Sequence, residues 1–245
     1  MTVIADDEHA DLMRASTRLE LWLQFIGRHQ VKTMAELGVL RGRFAERVLK
    51  GCPDISTYYL IDPWKHLDDW KKPANKDDET FENVYNEAMT RTQPWESKRV
   101  ILRGRTTEVV HAIPDGSLDL AYVDADHTLR GISIDLIRIW PKVRAGGFIG
   151  GDDFCPSIWH HPDRFEPTLV YPFAVYFAEA VDAPIVALPH NQYLIQKVEE
   201  GFTFSDTTGR YPDPTLQGAH AQKAGHRWGR LPQQLLRQMK RPATP

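Results

Sequence analysis

The chain has 245 residues, of which 42% are hydrophobic and 26% charged, and its net charge at pH 7 is −3. This composition is typical of a globular protein and excludes wholesale disorder and low-complexity polymers. It also argues against a general nucleic-acid binder, because such proteins are strongly basic. The acidic N-terminus, the presence of only two cysteines, and the lack of a long apolar run predict a cytoplasmic protein without a membrane segment.

The predicted elements begin with one helix over residues 9–28, in which apolar side chains recur at helical spacing. From residue 32 onward, strands and helices alternate. Seven short apolar segments predict strands, at residues 32–37, 57–61, 99–102, 117–123, 148–149, 185–188 and 192–197. Helices are predicted between them, at residues 43–50, 81–91, 106–113, 129–139 and 168–181.

This alternation predicts an α/β fold with a doubly wound, Rossmann-like, seven-stranded, mostly parallel sheet and helices on both faces. The chain then divides into an N-terminal helical extension (1–30), a cofactor-binding sheet domain (31–198) and a C-terminal tail (199–245). From residue 218 onward the tail carries Lys and Arg but no acidic residue. A long charged segment, residues 63–80, is either a solvated loop or a lid over a site.

Glycines and carboxylates stand where the predicted strands end. Gly38 and Gly42 follow the first strand, Asp62 ends the second, Asp124 follows the fourth, and the pair 152–153 follows the fifth. In a doubly wound sheet, ligands bind outside the carboxyl ends of the strands. Asp62 is placed to accept hydrogen bonds from a ribose, and the glycines let the backbone approach a ligand, although tight turns alone explain them equally well.

Four motifs occur in order along these strands: Glu-Leu-Gly-Val-x-x-Gly from residue 36, Leu-Ile-Asp from 60, Val-Asp-Ala-Asp-His from 123, and Gly-Gly-Phe-Ile-Gly-Gly-Asp-Asp from 146. In these motifs the sequence resembles the class I S-adenosylmethionine-dependent methyltransferases. Within that class it is most similar to the metal-dependent catechol and caffeoyl-coenzyme A O-methyltransferase type. The resemblance covers roughly residues 30–198.

The resemblance implies S-adenosylmethionine as the cofactor and a small hydroxylated molecule as the methyl acceptor. The residues that it assigns to the cofactor are Glu36, Gly38, Gly42, Asp62, Gly104, Arg105, Thr106 and Asp124. It also implies a divalent metal ion, Mg²⁺ first with Mn²⁺ or Ca²⁺ as alternatives, bound by Asp124, Asp152 and Asp153. The sequence departs from the family at three places, with Asp153 where Asn is common, His127 where Lys is common, and Arg43-Phe44 in place of Tyr-Ser.

The residue types fit this chemistry without the resemblance. A neutral hydroxyl is a poor nucleophile, and a cation held by carboxylates lowers the pKa of such a hydroxyl. His127, with an ordinary pKa of about 6.5, is the candidate catalytic base. His160 and His161 are alternative candidates for this base. If His127 is not the base, it is a residue in the first turn of a helix that takes no part in proton transfer. Asp152 and Asp153 have turn formation as their alternative role.

Asp126 is interpreted as the N-cap of the helix that follows it. The leading function is a metal-assisted O-methyltransferase of a catechol, a vicinal diol or a sugar hydroxyl of a natural product. Two alternatives stay open: a metal-independent methyltransferase of the same fold, and a non-catalytic module that binds an adenosyl ligand or, through its basic tail, RNA. Nucleic acid is not the expected partner, and self-association into a homo-oligomer stays open.

Overall fold

The computed structural model describes residues 6–157, 159–161 and 166–211. The strands of its main sheet are β1 (Thr33–Leu37), β2 (Thr57–Asp62), β3 (Arg99–Arg103), β4 (Leu118–Val123), β5 (Val143–Gly151), β8 (Ile185–Leu188), β9 (Gln192–Gln196) and β10 (Phe204–Asp206). They lie in the order β10-β8-β9-β5-β4-β1-β2-β3. Two short strands, β6 (Trp159–His161) and β7 (Glu166–Pro167), form a separate pair.

The doubly wound, mostly parallel sheet is confirmed, but the predicted number of strands is wrong. The sheet has eight strands because β10 pairs in parallel with β8. This strand has only three residues, all partly exposed, so it carries no apolar alternation that a sequence pattern could reveal. The remaining pairs are parallel except where β9 runs against β5 and β8.

The helices are α1 (Asp6–Arg14), α2 (Arg18–Arg28), α3 (Arg43–Gly51), α4 (Asp78–Thr92), α5 (Thr106–Val109), α6 (Leu129–Ile139) and α7 (Val170–Ala180). The prediction of a single helix over residues 9–28 is wrong, because the non-helical residues 15–17 separate α1 from α2. Thr17 caps α2 by accepting a hydrogen bond from the backbone N–H of Glu20. The Glu20 carboxylate in turn accepts from the backbone N–H of Ser16. These two hydrogen bonds stabilise the start of a new helix at Arg18.

The core forms one layer on each face of the sheet. Buried residues of α2, α3 and α4 pack on one face, and those of α6 and α7 pack on the other, together with the partly buried Val109 of α5. Successive residues of β1 alternate between the layers, with Met34 in the first and Ala35 in the second. The helices therefore cover both faces, as predicted, and leave the carboxyl ends of the strands as the edge where a ligand can bind.

Helix α2 is anchored in the sheet by one large side chain. Trp22 is fully buried, and its ring lies over Gly150 so closely that a Cβ atom there would stand 2.0 Å from it. The ring also makes edge contacts with Phe25 and Tyr122. The predicted N-terminal extension thus contributes to the core, while the predicted boundaries at residues 30 and 198 remain predictions.

Both cysteines, Cys52 and Cys155, are free and buried. No helix in the described part of the chain has the length and apolar character needed to cross a bilayer. The basic segment from residue 218 onward and the side chains of His160 and His161 lie outside the described residues.

Candidate active site

The loop between β1 and α3 has the backbone shape that its glycines predict. Gly38 has φ +88° and Gly42 has φ +70°, which is the left-handed region that favours glycine. A Cβ atom on Gly38 would lie 2.0 Å from the carbonyl oxygen of Asp124. Gly38 is therefore required where the ends of β1 and β4 meet.

Asp62 holds this loop in place. Its Oδ2 accepts hydrogen bonds from the backbone N–H groups of Val39 (3.1 Å) and Leu40 (2.9 Å), and its Oδ1 accepts from that of Trp64 (2.8 Å). Burial raises the pKa of Asp62, and these three hydrogen bonds oppose the rise. Asp62 thus shapes the glycine loop, and its predicted contact with a ribose remains a prediction.

Glu36 lies beneath the same loop with only 2% of its surface exposed. Its carboxyl accepts a 2.6 Å hydrogen bond from the Tyr58 hydroxyl. Burial raises the pKa of Glu36 to about 8, although the Tyr58 hydrogen bond opposes this rise. Glu36 is therefore mainly protonated at neutral pH in the absence of a ligand, a property that a sequence pattern does not reveal.

Three candidate metal ligands converge at the ends of β4 and β5. One donor atom each from Asp124, His127 and Asp153 lies within 4.8 Å of the other two. Asp153 adopts φ +58° and is 5% exposed. The structure thus brings together two of the three predicted carboxylate ligands and adds the imidazole of His127.

The imidazole nitrogen in this cluster suits a metal ion. His127 Nε2 lies 2.6 Å from Asp153 Oδ2 and 3.7 Å from Asp124 Oδ1. The contact with Asp153 is an ion pair when the ring is protonated, and the contact with Asp124 is longer than a hydrogen bond. A deprotonated ring nitrogen together with two carboxylates forms a donor set that suits a divalent cation such as Mn²⁺.

The carboxylates around His127 also affect its predicted role as the catalytic base. Burial lowers the pKa of His127, but the neighbouring carboxylates Asp124 and Asp153 outweigh burial and raise this pKa to about 9. A histidine with this pKa is protonated at neutral pH, and it cannot then accept a proton. The role of His127 as catalytic base remains a prediction, and it requires that the positive charge of the ring be removed first.

Asp152 belongs to a different network from Asp153. Its Oδ1 accepts a 2.6 Å hydrogen bond from the side-chain amide of Gln192, a fully buried residue of β9. The amide oxygen of Gln192 accepts from Trp22 Nε1 (2.8 Å) and from the Tyr122 hydroxyl (3.1 Å), and its nitrogen also donates to the His190 carbonyl. Every hydrogen-bonding position of this amide is used, so its orientation toward Asp152 is fixed.

Arg18 is the site residue that the sequence analysis missed most completely. It is the first residue of α2, and its guanidinium Nη1 lies 3.2 Å from Asp124 Oδ2 and forms an ion pair with Asp152 Oδ2. One nitrogen of Arg18 thus links carboxylates from two strand ends. A positively charged side chain in the first turn of a helix is unfavourable, because it lies at the positive end of the helix dipole. An arginine at this position is therefore the sequence feature that could have indicated a role for Arg18 in the site.

The segment 63–80 is tied to the domain at several points. Trp64 is fully buried, and its indole N–H donates to the Leu40 carbonyl. Arg105, predicted to lie near an adenine, forms an ion pair with Asp69 of this segment. Trp64 is thus not part of a solvated loop, whereas the proposed lid movement of the segment remains a prediction.

Two further residues have partners inside the fold. Thr106 donates a 2.6 Å hydrogen bond to the buried carboxyl of Asp135.

The N-cap of α6 is Thr128, whose side chain accepts from the Gly131 N–H, so the interpretation of Asp126 as the N-cap is wrong. Asp126 instead accepts from the N–H and hydroxyl of Thr128, because it lies two residues before the cap, at the spacing of an Asx turn.

Comparisons with known proteins bear on the family and the fold of this chain. Residues 35–154 match a family described as "Methyltransferase domain". The structure is similar to one described as a caffeoyl-CoA O-methyltransferase from Staphylococcus aureus, with 14% identity, a TM-score of 0.55 and coverage of 73% of this chain and 81% of that chain. It is also similar to the O-methyltransferase from Bacillus cereus in complex with SAH, with 11% identity, a TM-score of 0.51 and coverage of 79% and 92%. No curated protein matches the sequence.

At these identities the structural likeness establishes the fold alone, a mostly parallel sheet with helices on both faces. The family match covers the glycine loop, the Asp62 strand end and the Asp124–Asp153 cluster. Residues 35–154 therefore form a methyltransferase domain, which confirms the recognition of a methyltransferase from the sequence motifs.

Proposed function

We propose that the protein transfers the methyl group of S-adenosylmethionine to a hydroxyl oxygen of a small molecule, with a divalent cation at the Asp124–His127–Asp153 cluster. The observation that carries this proposal is the convergence of these three donors beside the glycine loop. The two solved structures above are described as O-methyltransferases, which supports oxygen as the acceptor atom.

The cofactor is proposed to bind over the β1–α3 loop, with Asp62 and Glu36 at its base. Asp62 fixes the backbone of Val39 and Leu40, so the loop is already shaped before a ligand arrives. The backbone carbonyl of Asp124 lies against Gly38. A methyl donor bound on this loop is therefore placed close to the Asp124 carboxylate and the cation cluster.

The acceptor is proposed to bind next to Asp124 and Asp153. When bound, a divalent cation supplies a Lewis acid that lowers the pKa of a coordinating hydroxyl and so favours its nucleophilic form. The protein contributes negative charge from two carboxylates and the ring nitrogen of His127. A molecule with two adjacent oxygens, such as a catechol, a vicinal diol or a sugar, suits such a site because it offers two ligands at once.

A metal-independent reaction of the same fold is the second candidate, and one observation favours it. The guanidinium of Arg18 already contacts Asp124 and Asp152 and so supplies positive charge where a cation would otherwise be needed. In that case the aspartates hold Arg18 in place, and the acceptor hydroxyl is activated by a side-chain base.

An assay of S-adenosylhomocysteine formation with catechol, a vicinal diol and a monohydroxyl analogue separates these candidates. The proposal predicts turnover with Mg²⁺ or Mn²⁺, loss of turnover in excess chelator, and a preference for the paired hydroxyls. Asp153→Ala should abolish turnover while S-adenosylhomocysteine still binds. Asp153→Asn should retain part of the activity, because an amide oxygen still coordinates. Turnover that continues unchanged in chelator would establish the metal-independent candidate.

A further inference from the structure

Arg18 places a positive charge between Asp124, a carboxylate of the proposed cation site, and the neighbouring carboxylate of Asp152. Its Nη1 contacts both Asp124 Oδ2 and Asp152 Oδ2. These two oxygens carry like charges at the ends of β4 and β5, and their mutual repulsion requires a neighbouring cation or protonation of one of them. In the structure, the guanidinium takes the position of that cation.

The position of Arg18 is determined by the surrounding fold. The cap at Thr17 and Glu20 starts α2 at Arg18, and four residues later Trp22 is fully buried and donates to Gln192. Gln192 in turn donates to Asp152. Helix α2 and the carboxylate that Arg18 contacts are thus held by one continuous network, so the ion pair is more constrained than a pair of two flexible surface chains.

We infer that Arg18 is a built-in counter-cation that competes with a divalent metal ion for Asp124, a ligand of the proposed cation site. The inference rests on the proposed cation site. In the metal-free protein, the guanidinium neutralises the strand-end carboxylates and keeps the site assembled. Metal binding requires the Arg18 guanidinium to move away from Asp124. The apparent affinity for the metal is therefore lower than the same ligands would give without Arg18.

The surroundings of Arg18 make its departure unfavourable. Arg18 borders a cleft of about 390 Å³ whose lining includes three more arginines, Arg43, Arg47 and Arg91. Arg91 is paired with Glu46, also in the cleft lining, and with Glu87. A guanidinium displaced from the aspartates thus moves toward like charges, which favours its return to Asp124 and Asp152.

The test is Mn²⁺ binding, followed by electron paramagnetic resonance, to the wild type and to Arg18→Gln. Removing a unit charge a few ångströms from the ligands should tighten Mn²⁺ binding by about ten-fold or more. Arg18→Lys should lie between the two, because it keeps the charge but not the planar fork. Arg47→Gln removes the same charge from the cleft lining, and it should change the affinity by less than about three-fold.

A thermal-unfolding series gives an independent readout on the same proteins. In chelator, Arg18→Gln should unfold at a lower temperature than the wild type, and saturating Mn²⁺ should close this gap. Equal or weaker Mn²⁺ binding by Arg18→Gln would overturn the inference, and the proposed function would survive if turnover still required the cation. Absence of Mn²⁺ binding by both proteins would overturn the inference and the metal-assisted proposal together.

Discussion

Replacing Glu36 with Gln should remove a pH dependence that is built into the core. The carboxyl is buried, and its pKa is raised from 4.5 to about 8. The folded state therefore binds a proton that the unfolded state releases above pH 4.5, so stability falls as the pH rises from about 4.5 to about 8. At 1.36 kcal/mol for each pKa unit, the whole loss is about 5 kcal/mol, of which roughly 2–3 kcal/mol falls between pH 5 and pH 7.

Urea unfolding of the wild type and Glu36→Gln from pH 5 to pH 9 measures this loss. A glutamine has the shape of a protonated glutamate and still accepts the Tyr58 hydrogen bond, so the two proteins should have similar stability at pH 5. The variant should then become the more stable one as the pH rises. Tyr58→Phe is the control, because losing its hydroxyl removes a hydrogen bond that lowers the Glu36 pKa and should extend the loss to higher pH. Parallel stability curves for wild type and Glu36→Gln would refute the reasoning.

Three further outcomes are expected. Gly38→Ala should cost at least about 3 kcal/mol of unfolding free energy, because the new Cβ meets backbone 2.0 Å away; Gly116→Ala, with φ +64° and open space, should cost only about 1 kcal/mol. Gln192→Leu should cost about 2–6 kcal/mol, because it leaves two buried donors without their acceptor; a loss under about 1 kcal/mol in urea unfolding would contradict this network. Amide hydrogen exchange in residues 63–80 should slow when S-adenosylhomocysteine and an acceptor bind; equal exchange in free and bound protein would make the segment an ordinary loop.

The sheet and its ligand-binding edge could be predicted because their signals are local. Strands β1, β2, β4 and β5 are apolar runs that end at or next to glycine or aspartate, and parallel strands bring such ends to one edge. This placed Gly38, Asp62, Asp124 and Asp153 correctly at the ends of their strands. The same reasoning missed β10, whose three partly exposed residues lack any periodic pattern.

The side chains that complete the site come from distant parts of the chain. Arg18 reaches an aspartate 106 residues away, and Gln192 binds a tryptophan 170 residues away. Neither contact has a spacing rule, because both depend on how α2 packs over the sheet. The sequence gives only indirect signs of these contacts. They are a positively charged residue in the first turn of a helix and a glutamine that begins the buried strand β9.

The proposed reaction depends most directly on whether the Asp124–His127–Asp153 cluster binds a cation. A titration of Mn²⁺ into the protein saturated with S-adenosylhomocysteine, followed by electron paramagnetic resonance, measures this without knowledge of the acceptor. We expect one bound Mn²⁺ per chain in the wild type, and its loss in Asp124→Ala and in Asp153→Ala while both variants remain folded. A wild type that binds no Mn²⁺ at millimolar concentration, or variants that bind it as the wild type does, would contradict the account.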